Sequence, residues 1–158
     1  MITYRIFKNS DAEEVASLVK KTMYTTNIKD YSKKYLENYL KDLTAQNFIE
    51  NAKYFHCYVL TDDTNNTIVA VGSIGPYWGK KDESSLFNIF VLPEYQSKGI
   101  GRKLITALES DIYFKRAKRI EIPASITGLG FYQRMGYHFK NGKKSLDNEQ
   151  LYRLEKFN

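Results

Sequence analysis

The stretch VLPEYQSKGIGRKLITALE, Val91 to Glu109, changes its backbone period midway and so constrains how the surrounding chain folds. Leu86 to Leu92 is a short apolar run of strand type, ended by Pro93, which has no ladder donor. From Gly99 onward Ile100, Leu104, Ile105, Leu108 and Ile112 follow helical spacing, and Arg119 to Ile122 reads as another short strand. A strand, helix, strand crossover makes its two strands parallel neighbours. Gly99 and Gly101 sit at the strand-to-helix turn, where unsatisfied amides and the helix dipole favour an anion.

The rest of the chain supplies antiparallel partners. Ile2 to Phe7 reads as a first strand, and Ser10-Asp11-Ala12-Glu13 as a capping box opening a helix with Val15, Leu18, Val19 and Met23 on one face. A second helical pattern carries Tyr31, Tyr35, Leu36, Tyr39, Leu40 and Leu43, and Thr44 caps a shorter turn. Tyr54 to Leu60 and Thr67 to Ile74 form a hairpin across Asp62-Asp63-Thr64-Asn65-Asn66, and the loop GPYWGKKDES leads to the strand at Leu86. Thr127 to Met135 reads as a helix ended by Gly136, with Tyr137 to Lys140 and Leu151 to Phe157 closing the sheet around Asn141-Gly142. The sum is one domain, residues 1–158, of α/β (α+β) class with a mixed sheet flanked by helices.

Composition removes several function classes. No apolar run approaches the roughly 18 residues that span a bilayer, and MITYRIFKNSD is unlike a signal peptide, so a cytoplasmic protein without a membrane partner is expected. Cys57, the one cysteine, lies in the apolar run YFHCYVL and reads as a small core residue. With only His56 and His138 beside it, no metal-ligand spacing exists, so no metal is expected. The net charge of +6 is scattered over pairs such as Lys20-Lys21 and Lys80-Lys81. That suits steering of a small polyanion better than a nucleic-acid stripe, so no nucleic-acid partner is expected.

Three ligand classes compete for Gln96-Ser97-Lys98-Gly99-Ile100-Gly101. A dinucleotide fingerprint needs a third glycine where Leu104 stands, and a phosphate loop needs GxxxxGK[ST], which is absent. The third is a pyrophosphate held by consecutive backbone amides, with Arg102 and Lys103 adding positive charge.

The ordered string Val91-x-Pro93-x-x-Gln96-x-x-Gly99-Ile100-Gly101-x-x-Leu104, followed by Gly130-Phe131-Tyr132-Gln133-Arg134-Met135-Gly136-Tyr137, resembles the GCN5-related N-acetyltransferase (GNAT) family. The first part matches that family's Q/R-x-x-G-x-G/A acyl-CoA motif, and the second its FYxxxGF element. The resemblance implies a mostly antiparallel sheet whose central parallel pair, Leu86 to Leu92 and Arg119 to Ile122, splays around acetyl-CoA as co-substrate. It assigns the pyrophosphate to the amides of Lys98, Gly99, Ile100, Gly101 and Arg102, within a cofactor-binding segment that also includes Gln96, Ser97 and Lys103. It assigns the pantetheine arm to the backbone of Phe90, Val91 and Leu92, one of whose amides would polarise the thioester carbonyl. Ser125 stands where relatives often carry an asparagine, and either reaches the pantetheine or caps the next helix.

The reaction implied is direct attack of a neutral amine on the thioester, with Tyr132 as the catalytic group that protonates or hydrogen-bonds the departing sulfur. Since the chain holds 13 tyrosines, Tyr132 is singled out by its place in the motif and not by its type. The glutamate base of many relatives has no counterpart in Ser84-Ser85-Leu86-Phe87-Asn88; Glu83, Glu121 or a carboxylate on the early helices, working through water, are candidates, each of which reads first as a surface charge. A small-molecule or peptide amine acceptor would lie among Tyr24, Tyr31, Tyr35, Tyr77 and Trp78, although aromatics at helical spacing read as core as well and Trp78 as part of a homodimer interface. A catalytically silent acyl-CoA-binding or sensing module is the alternative to an enzyme.

Overall fold

The computed structural model describes residues 1–158. One sheet has the strand order β1-β2-β3-β4-β5-β7-β6. The strands are β1 Ile2–Ile6, β2 His56–Asp62, β3 Thr67–Pro76, β4 Glu83–Val91, β5 Arg119–Ala124, β6 His138–Phe139 and β7 Tyr152–Phe157. All neighbours are antiparallel except β4 and β5, which are parallel as the crossover requires. The helices are α1 Ala12–Thr25, α2 Lys33–Leu40, α3 Ala45–Asn51, α4 Ile100–Glu109, α5 Ile112–Lys115 and α6 Leu129–Arg134.

Every residue of β3 from Ile68 to Gly75 is buried, the signature of a strand covered on both faces. Helix α1 packs over β3 and β4, and α4 packs over β1, β2 and β3. Their apolar stripes, Val15, Leu18, Val19 and Met23 on one and Ile100, Leu104, Ile105 and Leu108 on the other, are buried. Each such leucine or isoleucine contributes about 1.5–3 kcal/mol relative to exposure. Cys57 is buried in this core, and burial pushes its thiol up to about 11, which makes it a packing residue.

Several local expectations are corrected. No capping box forms between Ser10 and Glu13; Asp11 occupies the N-cap of α1. Its carboxylate accepts the Lys8 amide at 2.7 Å and both Arg5 nitrogens at 2.8 and 2.9 Å. The Arg5 guanidinium holds the Asp11 carboxyl below its usual range. Strand β4 begins at Glu83, inside the expected loop, because Glu83, Ser84 and Ser85 are the residues that pair with β5. Helix α6 starts at Leu129 and not at Thr127, and β6 keeps only His138 and Phe139 before a turn in which Asn141 has φ 53°. Thr44 does cap α3, accepting the Asn47 amide at 3.2 Å.

Candidate active site

The parallel pair joins only through Glu83–Ser85 and Arg119–Glu121; beyond them β4 and β5 diverge. Pro123, which has no amide to offer a ladder, lies in the diverging half of β5. On the other side of β4 a bulge sets Asn88 and Ile89 against the single residue Gly72, between the pairs Ser73–Phe87 and Val71–Phe90. Asn88 takes φ 53°, a left-handed conformation that asparagine tolerates better than most residues. The bulged strand bends away from β5, and a cleft of about 520 Å³ opens there.

One end of the cleft is the turn entering α4. Gly99 is its N-cap at φ 77°, where a side chain would be strained. The amides of Ser97, Lys98, Gly99, Ile100, Gly101 and Arg102 donate to no protein acceptor, so consecutive donors stand at a helix N-terminus. Gly101 serves a different need: a Cβ there would lie 2.9 Å from the Phe131 ring, so its absence lets α6 pack close to α4. The Gln96 side-chain Nε2 donates to the Val91 carbonyl at 2.9 Å and to Thr26 Oγ1 at 3.3 Å, tying the turn to the end of β4 and to the C-terminal end of α1.

Of the expected donor-site residues, Gln96, Ser97, Gly99, Gly101 and Arg102 line the cleft. The side chains of Lys98, Ile100 and Lys103 do not: Ile100 is buried in the core, and the Lys98 ammonium lies 5.7 Å from the centre of the Tyr95 ring. Lys103 is exposed. On β4, Phe90 and Val91 line the cleft but Leu92 does not. The Leu92 amide already donates to the Val69 carbonyl at 2.9 Å, so it is not the amide that would meet a thioester. Ser125 lines the cleft, and it does not cap α6, whose N-cap is Gly128; its hydroxyl accepts the Gly128 amide at 2.9 Å in the turn before the helix.

Tyr132 stands on α6 with its ring buried against Phe131 at 5.4 Å. No polar side-chain atom in the chain is sealed away without a partner, so the Tyr132 hydroxyl, which bonds to no protein group, opens to the cleft it lines. Burial pushes the phenol above its ordinary value of 10, keeping it neutral and able to donate a proton.

No aspartate or glutamate lines the cleft. Glu121 is not a surface charge: it is buried, with Arg119 at 2.9 Å, Lys140 at 2.9 Å and Arg153 at 3.7 Å. Glu83 pairs with the same Arg119 at 3.2 Å. Both carboxylates hold the closed half of the parallel pair.

Of the expected acceptor residues, Tyr31 and Tyr35 line the cleft, and Tyr39, which the helical spacing contained but no expectation singled out, joins them. Tyr24 borders a separate shallow groove beside α2. Tyr77 lies over Arg119 at 4.9 Å, and Trp78 is exposed at the turn after β3 with φ 49°. Arg134 is a further cleft residue; its basic charge next to Tyr132 was the available signal.

Solved structures share this architecture along the whole chain. PaiA N-acetyltransferase from Thermoplasma acidophilum in complex with coenzyme A is 15% identical, with a TM-score of 0.83, 100% of this chain and 99% of that chain being covered. A GCN5-related N-acetyltransferase from Rhodopseudomonas palustris is 19% identical, with a TM-score of 0.78 over 98% of this chain and 94% of that one. A GNAT family acetyltransferase from Brucella melitensis in complex with acetyl-CoA is 19% identical, with a TM-score of 0.65 over 98% and 87%. These likenesses establish the fold. No curated protein sequence matches the chain. The family model described as acetyltransferase (GNAT) family matches residues 20–137, and the chain belongs to that family.

Proposed function

We propose that the chain transfers an acetyl group from acetyl-CoA to a primary amine. One observation carries this reading: a run of unpaired amides at the N-terminus of α4 shares a single cleft with the free hydroxyl of Tyr132. The amides of Ser97 to Arg102 bind the pyrophosphate, Arg102 adds charge at the mouth, and the diverging edge of β4 pairs with the pantetheine arm. Acetyl-CoA supplies the activated acyl carbon. As the amine nitrogen bonds to that carbon and the carbon–sulfur bond breaks, Tyr132 gives its proton to the sulfur and regains one from solvent. The nitrogen releases its own proton to water.

The missing carboxylate favours one other reading, a silent acyl-CoA-binding module, which the unpaired Tyr132 hydroxyl disfavours. A CoA-thiol release assay with acetyl-CoA and a broad amine panel separates them. Release with at least one amine supports the enzyme; acetyl-CoA binding with no release from any amine supports the module.

A further inference from the structure

The end of the cleft away from α4 carries no charge. Its wall is a column of tyrosines, Tyr31 just before α2 and Tyr35 and Tyr39 on it, with Tyr31 on Tyr35 at 4.5 Å and 16°, and Tyr35 on Tyr39 at 5.9 Å and 28°. The column is fixed: the Tyr31 hydroxyl donates to the Gln150 carbonyl at 2.8 Å and accepts the Ile126 amide at 2.8 Å, while Tyr35 donates to the Glu149 carbonyl. Apolar Met23, Leu36 and Leu151 also line the cleft. The only charged residues on the whole cleft are Arg102 and Arg134, on the two helices that meet where Phe131 covers Gly101. Outside it, Asp147 and Glu149 are paired with Arg153 at 2.7 and 3.3 Å, and Asp30 accepts the Thr127 hydroxyl at 2.8 Å.

A substrate with several ammonium groups would therefore bury charges in a cleft lined by two arginines and no carboxylate. A single amine attached to an aromatic or apolar group meets the opposite situation. Ring faces attract the cation on entry and pack against its hydrocarbon part. Burial then lowers the ammonium's pKa and yields the neutral nucleophile without a dedicated carboxylate base.

We infer that the acceptor is a primary monoamine carrying an aromatic or apolar group, held along the Tyr31–Tyr35–Tyr39 column, and that polyamines and aminoglycosides are selected against. This rests on the reading of the same cleft as an acetyl-CoA site.

The experiment measures CoA release from acetyl-CoA with 2-phenylethylamine, hexylamine, spermidine, kanamycin and a peptide with a free N-terminus, beside the acetyl-CoA Kd. The expected result is kcat/KM for 2-phenylethylamine above that for spermidine by about 10-fold or more. Tyr35→Leu should raise the KM for 2-phenylethylamine about 5-fold and Tyr39→Leu should act in the same direction, with the acetyl-CoA Kd constant throughout. A preference for spermidine, kanamycin or the peptide, no turnover of any amine despite acetyl-CoA binding, or a KM indifferent to Tyr35→Leu overturns the inference. Loss of acetyl-CoA binding in the wild type overturns the donor reading beneath it.

Discussion

Removing one oxygen from Tyr132 tests its proposed catalytic role apart from folding. The ring is buried against Phe131, while the hydroxyl bonds to no protein group. Tyr132→Phe therefore keeps the packing and breaks no internal hydrogen bond, so the urea midpoint should shift by less than the equivalent of about 0.5 kcal/mol. Turnover should fall by about 10²-fold or more, close to 3 kcal/mol of barrier, the scale of a lost general acid. Burial raises the phenol above its ordinary value of 10, so the wild-type rate should show no falling limb from its ionisation below about pH 10. The assay is CoA-thiol release at saturating amine and acetyl-CoA, with the acetyl-CoA Kd and the urea midpoint measured on the same preparation. Wild-type turnover in Tyr132→Phe would refute the role. So would a midpoint falling in step with turnover, which would make the hydroxyl a structural group.

Three further outcomes follow from the geometry. Gly99→Ala and Gly101→Ala should both destabilise by different causes: at Gly99 the φ of 77° costs about 1–2 kcal/mol in open space, and at Gly101 the 2.9 Å approach to Phe131 costs about 1–3 kcal/mol. Urea unfolding should show that Phe131→Leu relieves the second substitution and not the first. Glu121→Gln leaves Arg119, Lys140 and Arg153 short of a buried counter-charge and should cost about 3 kcal/mol in urea unfolding, with little change in the acetyl-CoA Kd. Burial raises Tyr35, Tyr58, Tyr132 and Tyr137, so the unfolded chain releases protons that the folded one keeps. Stability should be fully present below the unfolded value near 10 and fall as pH rises above it; a urea midpoint unchanged between about pH 9 and 11 would contradict this.

Features whose causes are local were legible in the sequence. The change of period at Pro93, the glycine turn and the spacing of α4 each depend on near neighbours, and they located the parallel pair and the amide donors. Features that depend on distant partners were not legible. Ser10 reads as a cap until Arg5, on β1, claims Asp11. Glu83 and Ser84 read as loop because their strand character comes from distant partners, β5 for both and Pro76 of β3 for Ser84, whose hydroxyl also donates to the Tyr113 carbonyl at 2.7 Å. Glu121 alternates with Ile120 and Ile122 as a surface charge would, and only the fold brings Lys140 and Arg153 over it. Leu92 matched the motif by position, yet its amide is spent on Val69. The tyrosine column was half legible: the spacing of Tyr31, Tyr35 and Tyr39 gave one helix face, but whether that face met core or cleft depended on where β4 parts from β5.

The central claim is that the diverging strands and the α4 turn form a donor site for acetyl-CoA. Calorimetric titration of the purified chain with acetyl-CoA tests it most directly, with Gly99→Ala titrated in parallel. The account predicts one site per chain, weakened in the variant because the turn amides are displaced. Absence of binding, or an affinity untouched by Gly99→Ala, would contradict it.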